Sequence, residues 1–411
     1  MALGMSERTF EIFRTEEDRV NWDKYIEHVD VIEQLTDEEK ERGKEAFLYL
    51  RQPEVLGEKF LGHAHATGHP LFRTFRNTVP WTRKWLTRFA EAMKSLQTAD
   101  GFSTCMKEEI KDAGKYKERE YVLEVAYKLF NAGFEISFDP AVTVPKPRGF
   151  TGRLIPIETV PDLKIIDRET REEIFVEVSA MGESDPSKQS ERTYHTVFNV
   201  LVSYALHELY LFPRARIHRI LDDDELNELV PKLFELINEV KSSGKVCYLI
   251  SDEIEACLAP ANEQDFPSQW AAERGITGRP IEGPLIPLRD PLRMKRIIRK
   301  EQKQLPPNKP GIVVITTDWS LLFHAHGLRT IMDEAEEAVR EFPKLACAVV
   351  SCSYQGGDEE GHLFAEGGHT IIKRITNEKL IEQTIITLNP SSSFQMPAST
   401  FDRVRLAFIQ G

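Results

Sequence analysis

Two acids flank a short strand–turn–strand segment, PDLKIIDRETREEIFVEVSAM, which spans residues 161–181. A tight turn in the middle of this segment would pair its halves as antiparallel strands and set Asp162 opposite Glu177. Because side chains alternate between the two faces of a strand, both acids and Ser179 would share one face. Carboxylates that face each other repel unless a positive group lies between them. The segment therefore predicts a site for a cation.

A hard divalent ion is one way to supply that charge. Mg²⁺ and Mn²⁺ take oxygen ligands and often bind through one or two carboxylates together with water and substrate phosphate. Such an ion activates water for attack on a phosphodiester. Two simpler arrangements stay open: Lys164 on the same face neutralises the acids, or a shifted register leaves Glu177 in solvent.

The opposite face of the same two strands is apolar and is predicted to pack against a helix. Its residues are Leu163, Ile165, Ile174, Val176 and Val178. The preceding segment, YKEREYVLEVAYKLFNAGFEISFDP, has the apolar stripe of a helix, a glycine that ends it at Gly133, and then the alternation of a strand. A helix is therefore expected beside the two acids.

The chain divides into two regions by the pattern of its apolar residues. Apolar residues recur three and four apart between charges up to residue 113, which predicts an N-terminal helical region over 1–113. From 114 to 411, helical patterns alternate with short apolar strands such as KVCYLI, PGIVVITT and LACAVVSCS. The predicted fold class is therefore α/β.

Bulk composition excludes several classes of protein. The formal net charge of −13 argues against a surface that attracts nucleic acid everywhere, although it is compatible with a basic groove on an acidic body. Five scattered cysteines without a CxxC pair indicate neither a disulfide framework nor a structural zinc site, and they favour a reducing cytoplasm. No apolar run is long enough to span a bilayer, so we expect no membrane partner. No P-loop, GxGxxG or GxSxG motif is present.

The order of helix, strand, "PD" and apolar strand ending in glutamate resembles the PD-(D/E)XK nuclease superfamily, which has the restriction-endonuclease-like fold. The resemblance runs through EREYVLEVAYKLFNAGFEISF, PDLKII and IFVEVS, within residues 115–210. It implies a mixed central sheet flanked by helices over residues 114–411, preceded by the N-terminal helical region. It also implies a nuclease dependent on Mg²⁺ or Mn²⁺, acting on DNA or RNA, with Asp162 and Glu177 as metal ligands.

A glutamate on the preceding helix often joins the metal ligands in this superfamily. Glu118 is the best match, because it precedes Val122, Val125 and Leu129 by helical spacings and so lies on their stripe. The alternative is an exposed acid that the helix dipole favours near an N-terminus.

Ser179 stands where the superfamily usually has a lysine that helps to activate water and stabilise the phosphorane. A serine carries no charge, so its role would be to hydrogen-bond a metal-bound water or the phosphate. Some branches of the superfamily place the lysine on the next helix, where Lys188 is the leading candidate, beside Gln189 and Arg192. Alternatively the site has lost catalysis and the domain binds nucleic acid, a protein partner or a second copy of the chain.

Two basic segments lie outside this core. FRTFRNTVPWTRKWLTR interleaves aromatic and basic residues in a way that suits nucleic-acid binding, with Arg83 and Lys84, and further along the chain Arg192, as phosphate contacts. An amphipathic helix with exposed cations is the plainer interpretation. LRMKRIIRKEQKQL predicts a positive helix beside the sheet, which solubility alone would also explain.

Two groups of histidines are candidates for metal ligands by residue type. In LGHAHATGHP, His63, His65 and His69 lie close together, but no cysteine or carboxylate completes the set. Flanking glycines and a proline predict a flexible, solvated loop there. His324 and His326, which follow a predicted strand, are also expected to be loop residues.

Overall fold

The structure of the chain is a computed structural model. It describes residues 26–27, 29–30, 32, 35–71, 80–148, 153–182, 185–276, 280–284, 290–317, 327–355, 362–366, 369–375, 380–394 and 396–410. The two histidines predicted to lie in a loop, His324 and His326, fall outside these ranges. None of the helices inside them combines the length and the apolar character that crossing a bilayer requires.

Helices occur along the whole of the described chain. The α-helices are α1 (Asp37–Leu50), α2 (Glu58–Thr67), α3 (Pro80–Leu96), α4 (Lys107–Ile110), α5 (Tyr116–Asn131), α6 (Asp185–Phe198), α7 (Asp223–Ser243), α8 (Phe266–Glu273), α9 (Asp290–Glu301), α10 (Gly327–Arg340) and α11 (Ala398–Gln410). π-Helical turns cover Phe102–Met106 and Asn199–Leu206, and a 3-10 turn covers Ala261–Glu263.

Strands alternate with these helices from residue 134 onward. They are β1 (Phe134–Phe138), β2 (Val142–Arg148), β3 (Arg153–Thr159), β4 (Leu163–Asp167), β5 (Glu173–Ala180), β6 (Phe212–Ile217), β7 (Cys247–Ile250), β8 (Ile254–Ala259), β9 (Ile281–Glu282), β10 (Gly311–Thr317), β11 (Leu345–Gln355), β12 (His362–Glu366), β13 (His369–Ile375) and β14 (Leu380–Leu388). The α/β fold class predicted from the sequence is confirmed.

Side-chain capping explains where two of the helices begin. At α1, Thr36 accepts a hydrogen bond from the backbone N–H of Glu39, whose side chain accepts from the backbone N–H of Thr36. Asp222 and Glu225 form the same reciprocal pair at α7. These pairs satisfy backbone donors that have no partner inside the helix.

The central sheet has eight strands in the order β1-β4-β5-β10-β11-β14-β13-β12. β10 runs parallel to both β5 and β11, whereas the other neighbours are antiparallel. A long connection is needed to return from β5 to the parallel strand β10. The sheet is therefore mixed, with its parallel part next to the hairpin that carries the two predicted acids.

β4 and β5 form that hairpin in the predicted register. Leu163 lies opposite Val176 and Ile165 opposite Ile174, which places the turn in the middle of the quoted segment. All five apolar residues predicted for one face are buried in a core that includes Val122, Val125 and Leu129 of α5. The prediction that this face packs against a helix is confirmed.

A second core covers the opposite face of the central sheet. Met294 and Ile298 of α9 pack there together with Phe175 of β5 and residues of α10. Because Phe175, Glu177 and Ser179 alternate with the apolar residues of β5, they point toward this side. The end of α9 is thereby brought to the face that carries the predicted site.

Contacts group the chain into two compact units, one of which is inserted into the other. The first unit extends to Gly182 and resumes at Pro291, and the second runs from Glu183 to Asp290. The N-terminal helices share a core with the central sheet, so residue 113 does not mark a boundary between these units. The second unit has a four-stranded sheet in the order β7-β8-β6-β9 and its own core with α6 and α7.

The prediction of a flexible loop around His63, His65 and His69 is wrong. The first two residues belong to α2, and the exposed fraction of His69 is 4%. His69 packs edge-on against Phe60 and Tyr116, and burial lowers its pKa. Gly68 has φ +68° directly after the helix, so the glycine ends a helix here and does not mark a loop.

Candidate functional site

The two acids predicted to face each other are both buried at one end of the hairpin. Asp162 directly precedes β4 and Glu177 lies in β5, with exposed fractions of 8% and 3%. The two residues are called the carboxylate pair below. The backbone N–H of Val178 donates to Asp162 Oδ2 at 2.8 Å, so the strand that carries the second acid also positions the first.

Arg119 of α5 is the cation beside Asp162. Its Nη1 lies 3.2 Å from Asp162 Oδ1 and 3.1 Å from Asp139 Oδ1, and its Nε pairs with Glu109. The backbone N–H of Asp139 donates to the carbonyl oxygen of Asp162 at 3.0 Å. One guanidinium thus contacts three carboxylates, of which Glu109 also pairs with Lys115 at 2.6 Å. The three acids outnumber these two cations before Glu177 is counted.

Glu177 is only partly satisfied by hydrogen bonds. Gln304, just after α9, donates from Nε2 to Glu177 Oε2 at 3.4 Å and to Glu301 Oε2 at 3.1 Å. Glu177 Oε1 is buried and accepts no hydrogen bond from a donor among the residues that the structure describes. A buried carboxylate oxygen without a partner is costly unless the site binds a proton or a cation.

Burial raises the pKa of both members of the carboxylate pair. For Asp162, the N–H of Val178 and the charge of Arg119 oppose this effect. For Glu177, repulsion from Asp162, a hydrogen bond to Asp162 that the protonated acid can donate, and repulsion from Glu301 add to the effect of burial. The pair therefore retains a proton at pH values where exposed acids have lost theirs, unless a cation replaces it.

Ser179 follows Glu177 by two residues on β5 and is partly exposed. Its Oγ–H donates to Glu301 Oε1 at 3.5 Å, and Lys300 donates from Nζ to the same oxygen at 2.9 Å. Lys164 lies 3.9 Å from Glu173 Oε1. The ion pair observed for Lys164 is therefore with Glu173 and not with the carboxylate pair, as one alternative had expected.

The other residues predicted for the site lie on three different helices. Glu118 is exposed on α5, one residue before Arg119. Lys188 is exposed on α6 and Arg192 of the same helix pairs with Asp223 at 2.7 Å, both within the inserted unit. A role for Lys188 or Arg192 at the carboxylate pair stays a prediction. Arg83 and Lys84 belong to α3, but their side chains are not among those described, so their role in binding nucleic acid also stays a prediction.

Three residues of the site were not predicted from the sequence: Arg119, Glu301 and Gln304. Arg119 follows Glu118 on the helix that was expected to contribute an acid, and its helical phase was the available signal. Glu301 and Gln304 lie at the end of the basic segment LRMKRIIRKEQKQL. Glu301 is 5% exposed. Amino-acid composition alone does not predict that an acid at the end of so basic a helix is buried.

The donor set suits a hard divalent ion in residue type. Carboxylate oxygens are the ligands that Mg²⁺ and Mn²⁺ prefer, and the unpartnered Glu177 Oε1 is available to one. Among the described residues, no group of three or more His, Cys, Asp or Glu side chains is arranged to hold a metal. An ion at this place would therefore be held by Asp162 and Glu177, with water completing its coordination.

Comparison with family models, with curated proteins and with solved structures gave no match to this chain. Function is therefore inferred from the residues and their arrangement.

Proposed function

We propose that the chain is a metal-dependent nuclease of the PD-(D/E)XK type that hydrolyses phosphodiesters in DNA or RNA with Mg²⁺ or Mn²⁺. The observation that carries the proposal is Glu177 Oε1, a buried oxygen beside a second carboxylate that accepts no hydrogen bond from the described residues. Two neighbouring carboxylates that are buried in this way are stabilised when a cation binds between them.

The arrangement of the elements supports a restriction-endonuclease-like core. The helix α5 is followed by β1, the β4–β5 hairpin and the parallel strand β10, and these strands are neighbours in the sheet. The carboxylate pair lies at one end of the hairpin, on the face toward α9. The same order of elements carries the resemblance in sequence.

Each residue of the site has a defined task in this proposal. Arg119 and the N–H of Val178 hold Asp162 in one orientation, and Gln304 holds Glu177 by its Oε2. Asp162 and Glu177 would hold the ion. A bound divalent ion activates water for attack and offsets the charge of the phosphodiester. Ser179 contributes a hydroxyl that can donate to the phosphate.

The reaction is hydrolysis and requires no further reactant. The oxygen of a water molecule forms a bond to phosphorus as the bond between phosphorus and the leaving oxygen breaks. One proton of the water is lost and one is gained by the leaving oxygen. Glu177 Oε1, to which no hydrogen bond is made by the described part of the chain, is the oxygen proposed to hold the ion, so the first proton is released to solvent.

The reaction is proposed to take place in the cytoplasm. All five cysteines are free thiols, which suits a reducing compartment. Nucleic acid is the proposed partner, and the acidic chain would bind it only where cations are grouped.

Cleavage assays with matched variants test the proposal. The wild type should cleave labelled DNA or RNA, single- or double-stranded, in the presence of Mg²⁺ or Mn²⁺ but not with EDTA. Asp162→Ala and Glu177→Ala should each lose at least about 100-fold in rate, the scale of losing a main electrostatic contribution. Glu173→Ala, a partly exposed acid on the same strand, is the control and should cleave as the wild type does.

Binding of Mn²⁺ gives an independent measurement. The ion should raise the melting temperature of the wild type by mass action and should have no effect on Glu177→Ala. The nuclease proposal is rejected if the wild type cleaves none of the substrates, or if Glu177→Ala retains the wild-type rate.

A second candidate is a catalytically inactive domain with the same fold that binds a protein or nucleic acid. Two observations favour it: Ser179 carries no charge, and Arg119 already pairs with Asp162. In that case the carboxylate pair keeps its proton and has no need for an ion. Wild-type protein that binds nucleic acid or a protein partner but neither binds Mn²⁺ nor cleaves would select this candidate.

A further inference from the structure

The candidate site has more negative charge than positive charge. Asp162, Glu177 and Glu301 have exposed fractions of 8%, 3% and 5%. Arg119, the cation that contacts Asp162, also pairs with Asp139 and Glu109. A phosphodiester is itself an anion, so its approach needs a cation that is not already held by several carboxylates.

Lys300 is a cation at the open side of this group. It lies in the last turn of α9, and its side chain is 78% exposed, whereas that of Glu301 is 7% exposed. Its Nζ donates to Glu301 Oε1 at 2.9 Å, the same oxygen that accepts from Ser179 Oγ. The ammonium of Lys300 and the hydroxyl of Ser179 therefore meet at one carboxylate oxygen.

Acids of the candidate site are among the charges that act on Lys300. The contact with Glu301 raises its pKa, and the charges of Glu118 and Glu177 add to that effect. Other cations of α9 are engaged elsewhere: Lys295 pairs with Glu334 and Glu337, and Arg299 pairs with Glu341. Arg293 donates to the carbonyl oxygen of Gly182 at 3.2 Å. Lys300 is thus a cation of this helix whose described ion pair is with an acid of the candidate site.

We propose that Lys300 is a catalytic residue that contacts a non-bridging phosphate oxygen of the nucleic acid and supplies the positive charge that Ser179 lacks. This inference rests on the proposed nuclease function. The flexible four-carbon side chain of Lys300 allows its ammonium to move from Glu301 to the phosphate without a change in the backbone. Lys300 stays protonated throughout and takes no part in bond making.

The test compares two exposed lysines of the same segment. Lys300→Met and Lys303→Met each remove one positive charge, and Lys303 is exposed two residues beyond α9. Mn²⁺-dependent cleavage of labelled DNA and RNA should fall by about 100-fold in kcat/KM for Lys300→Met, whereas Lys303→Met should match the wild type. Lys300→Arg should retain most of the activity. Melting temperatures are measured for every variant, and Lys300→Arg, which keeps a cation beside the buried Glu301, separates loss of charge at the phosphate from loss of stability.

A rescue variant makes the assignment specific. In Ser179→Lys combined with Lys300→Met, the new ammonium starts from the residue whose hydroxyl shares the Glu301 oxygen, so cleavage should recover by at least about 10-fold over Lys300→Met alone. A structural role for Lys300 would not be rescued from a different strand. Lys188→Met is measured alongside, because Lys188 is the other candidate for the missing charge.

The outcomes separate the two proposals. If the wild type cleaves and Lys300→Met cleaves equally well, the role of Lys300 is rejected while the nuclease function stands. The same holds if Lys303→Met loses as much activity, or if Lys188→Met loses activity and Lys300→Met does not. If the wild type cleaves no nucleic acid, both proposals are rejected.

Discussion

β4 has a buried acid at each end, and the two are built in opposite ways. Asp167, its last residue, is fully buried, and its Oδ2 accepts from Thr400 Oγ at 2.6 Å and from Arg403 Nη2 at 2.7 Å. Its Oδ1 accepts from the backbone N–H of Glu169 at 2.9 Å. At the other end, Asp162 directly precedes β4 and shares one arginine with other acids. Its neighbour Glu177 has an oxygen that accepts no hydrogen bond within the described part of the chain.

The ionisation of the two ends differs accordingly. Burial opposes charge on Asp167, but Thr400, Arg403 and two backbone N–H groups outweigh it and hold the pKa of Asp167 well below its ordinary value. At the carboxylate pair, burial and mutual repulsion dominate and raise the pKa of Glu177. An acid whose charge is fully compensated stabilises the fold, whereas a buried acid whose charge is not compensated is a candidate for a functional site.

The largest effect on stability is expected at the compensated end. Asp167→Ala should lower the free energy of unfolding by about 3 to 5 kcal/mol, because it leaves the Arg403 guanidinium without its buried partner. Urea denaturation at pH 7 measures it. Since the pKa of Asp167 is lowered in the folded state, its contribution is present above its unfolded pKa and is lost as pH falls through the folded value.

Glu135→Ala is the matched control for this prediction. Glu135 pairs with Arg171 at the surface, where the side chains of Arg171 and Glu135 are 60% and 47% exposed. Its loss should cost less than about 1 kcal/mol. Equal destabilisation by the two variants would contradict the contrast between the ends of β4.

At the carboxylate pair, removal of a charge should change the free energy of unfolding in the opposite direction. Glu177→Gln should increase the free energy of unfolding at pH 8 by on the order of 2 kcal/mol, because the wild type must take up a proton at Glu177 on folding and the amide needs none. The pKa of Glu177 is raised in the folded state, so its contribution is fully present below the unfolded pKa and is lost as pH rises toward the folded pKa. At pH 4 the variant and the wild type should therefore agree.

Unfolding curves without divalent ions, at several pH values, check this prediction. Glu173→Gln on the same strand is the control, because Glu173 pairs with Lys309 at 2.8 Å and is partly exposed. It should show no gain at pH 8. A Glu177→Gln variant that is less stable than the wild type at pH 8 would mean that the charge of Glu177 is already compensated.

The smallest effect is expected from a single hydrogen bond. Thr400→Val should destabilise the chain by about 1 kcal/mol in urea, because one buried donor to Asp167 is lost while Arg403 remains. Ser399→Ala, an exposed neighbour on α11, should change nothing measurable. A loss as large as that of Asp167→Ala would assign most of the compensation to Thr400.

The hairpin could be predicted from the sequence because its information is local. Alternation with period two and a polar turn fix which residues of β4 and β5 face each other, and the pairing of Leu163 with Val176 is the one expected. The packing of the apolar face on α5 followed from the helical stripe directly before it. Register and side could therefore be predicted without any knowledge of the sheet.

The remainder of the site could not be predicted, because its partners are distant along the chain. Glu301 and Gln304 follow the inserted unit in the sequence, yet they contact Ser179 and Glu177, which precede it. No local sequence pattern predicts contacts between segments so far apart along the chain. The basic residues of α9 gave equal support to solubility and to a site. The error at His63 had a local cause: Gly68 was interpreted as a sign of flexibility when its positive φ ends α2.

The inserted unit has a consequence for synthesis. Glu177 and Glu301 are 124 residues apart (301 − 177), so at about 5 to 20 residues per second the ribosome adds the second acid roughly 6 to 25 s after the first. β5 must wait over this interval for its parallel neighbour β10, while the inserted unit, which has its own core, can already fold. A nascent chain would thus carry an exposed strand edge and an unfinished site until α9 and β10 emerge.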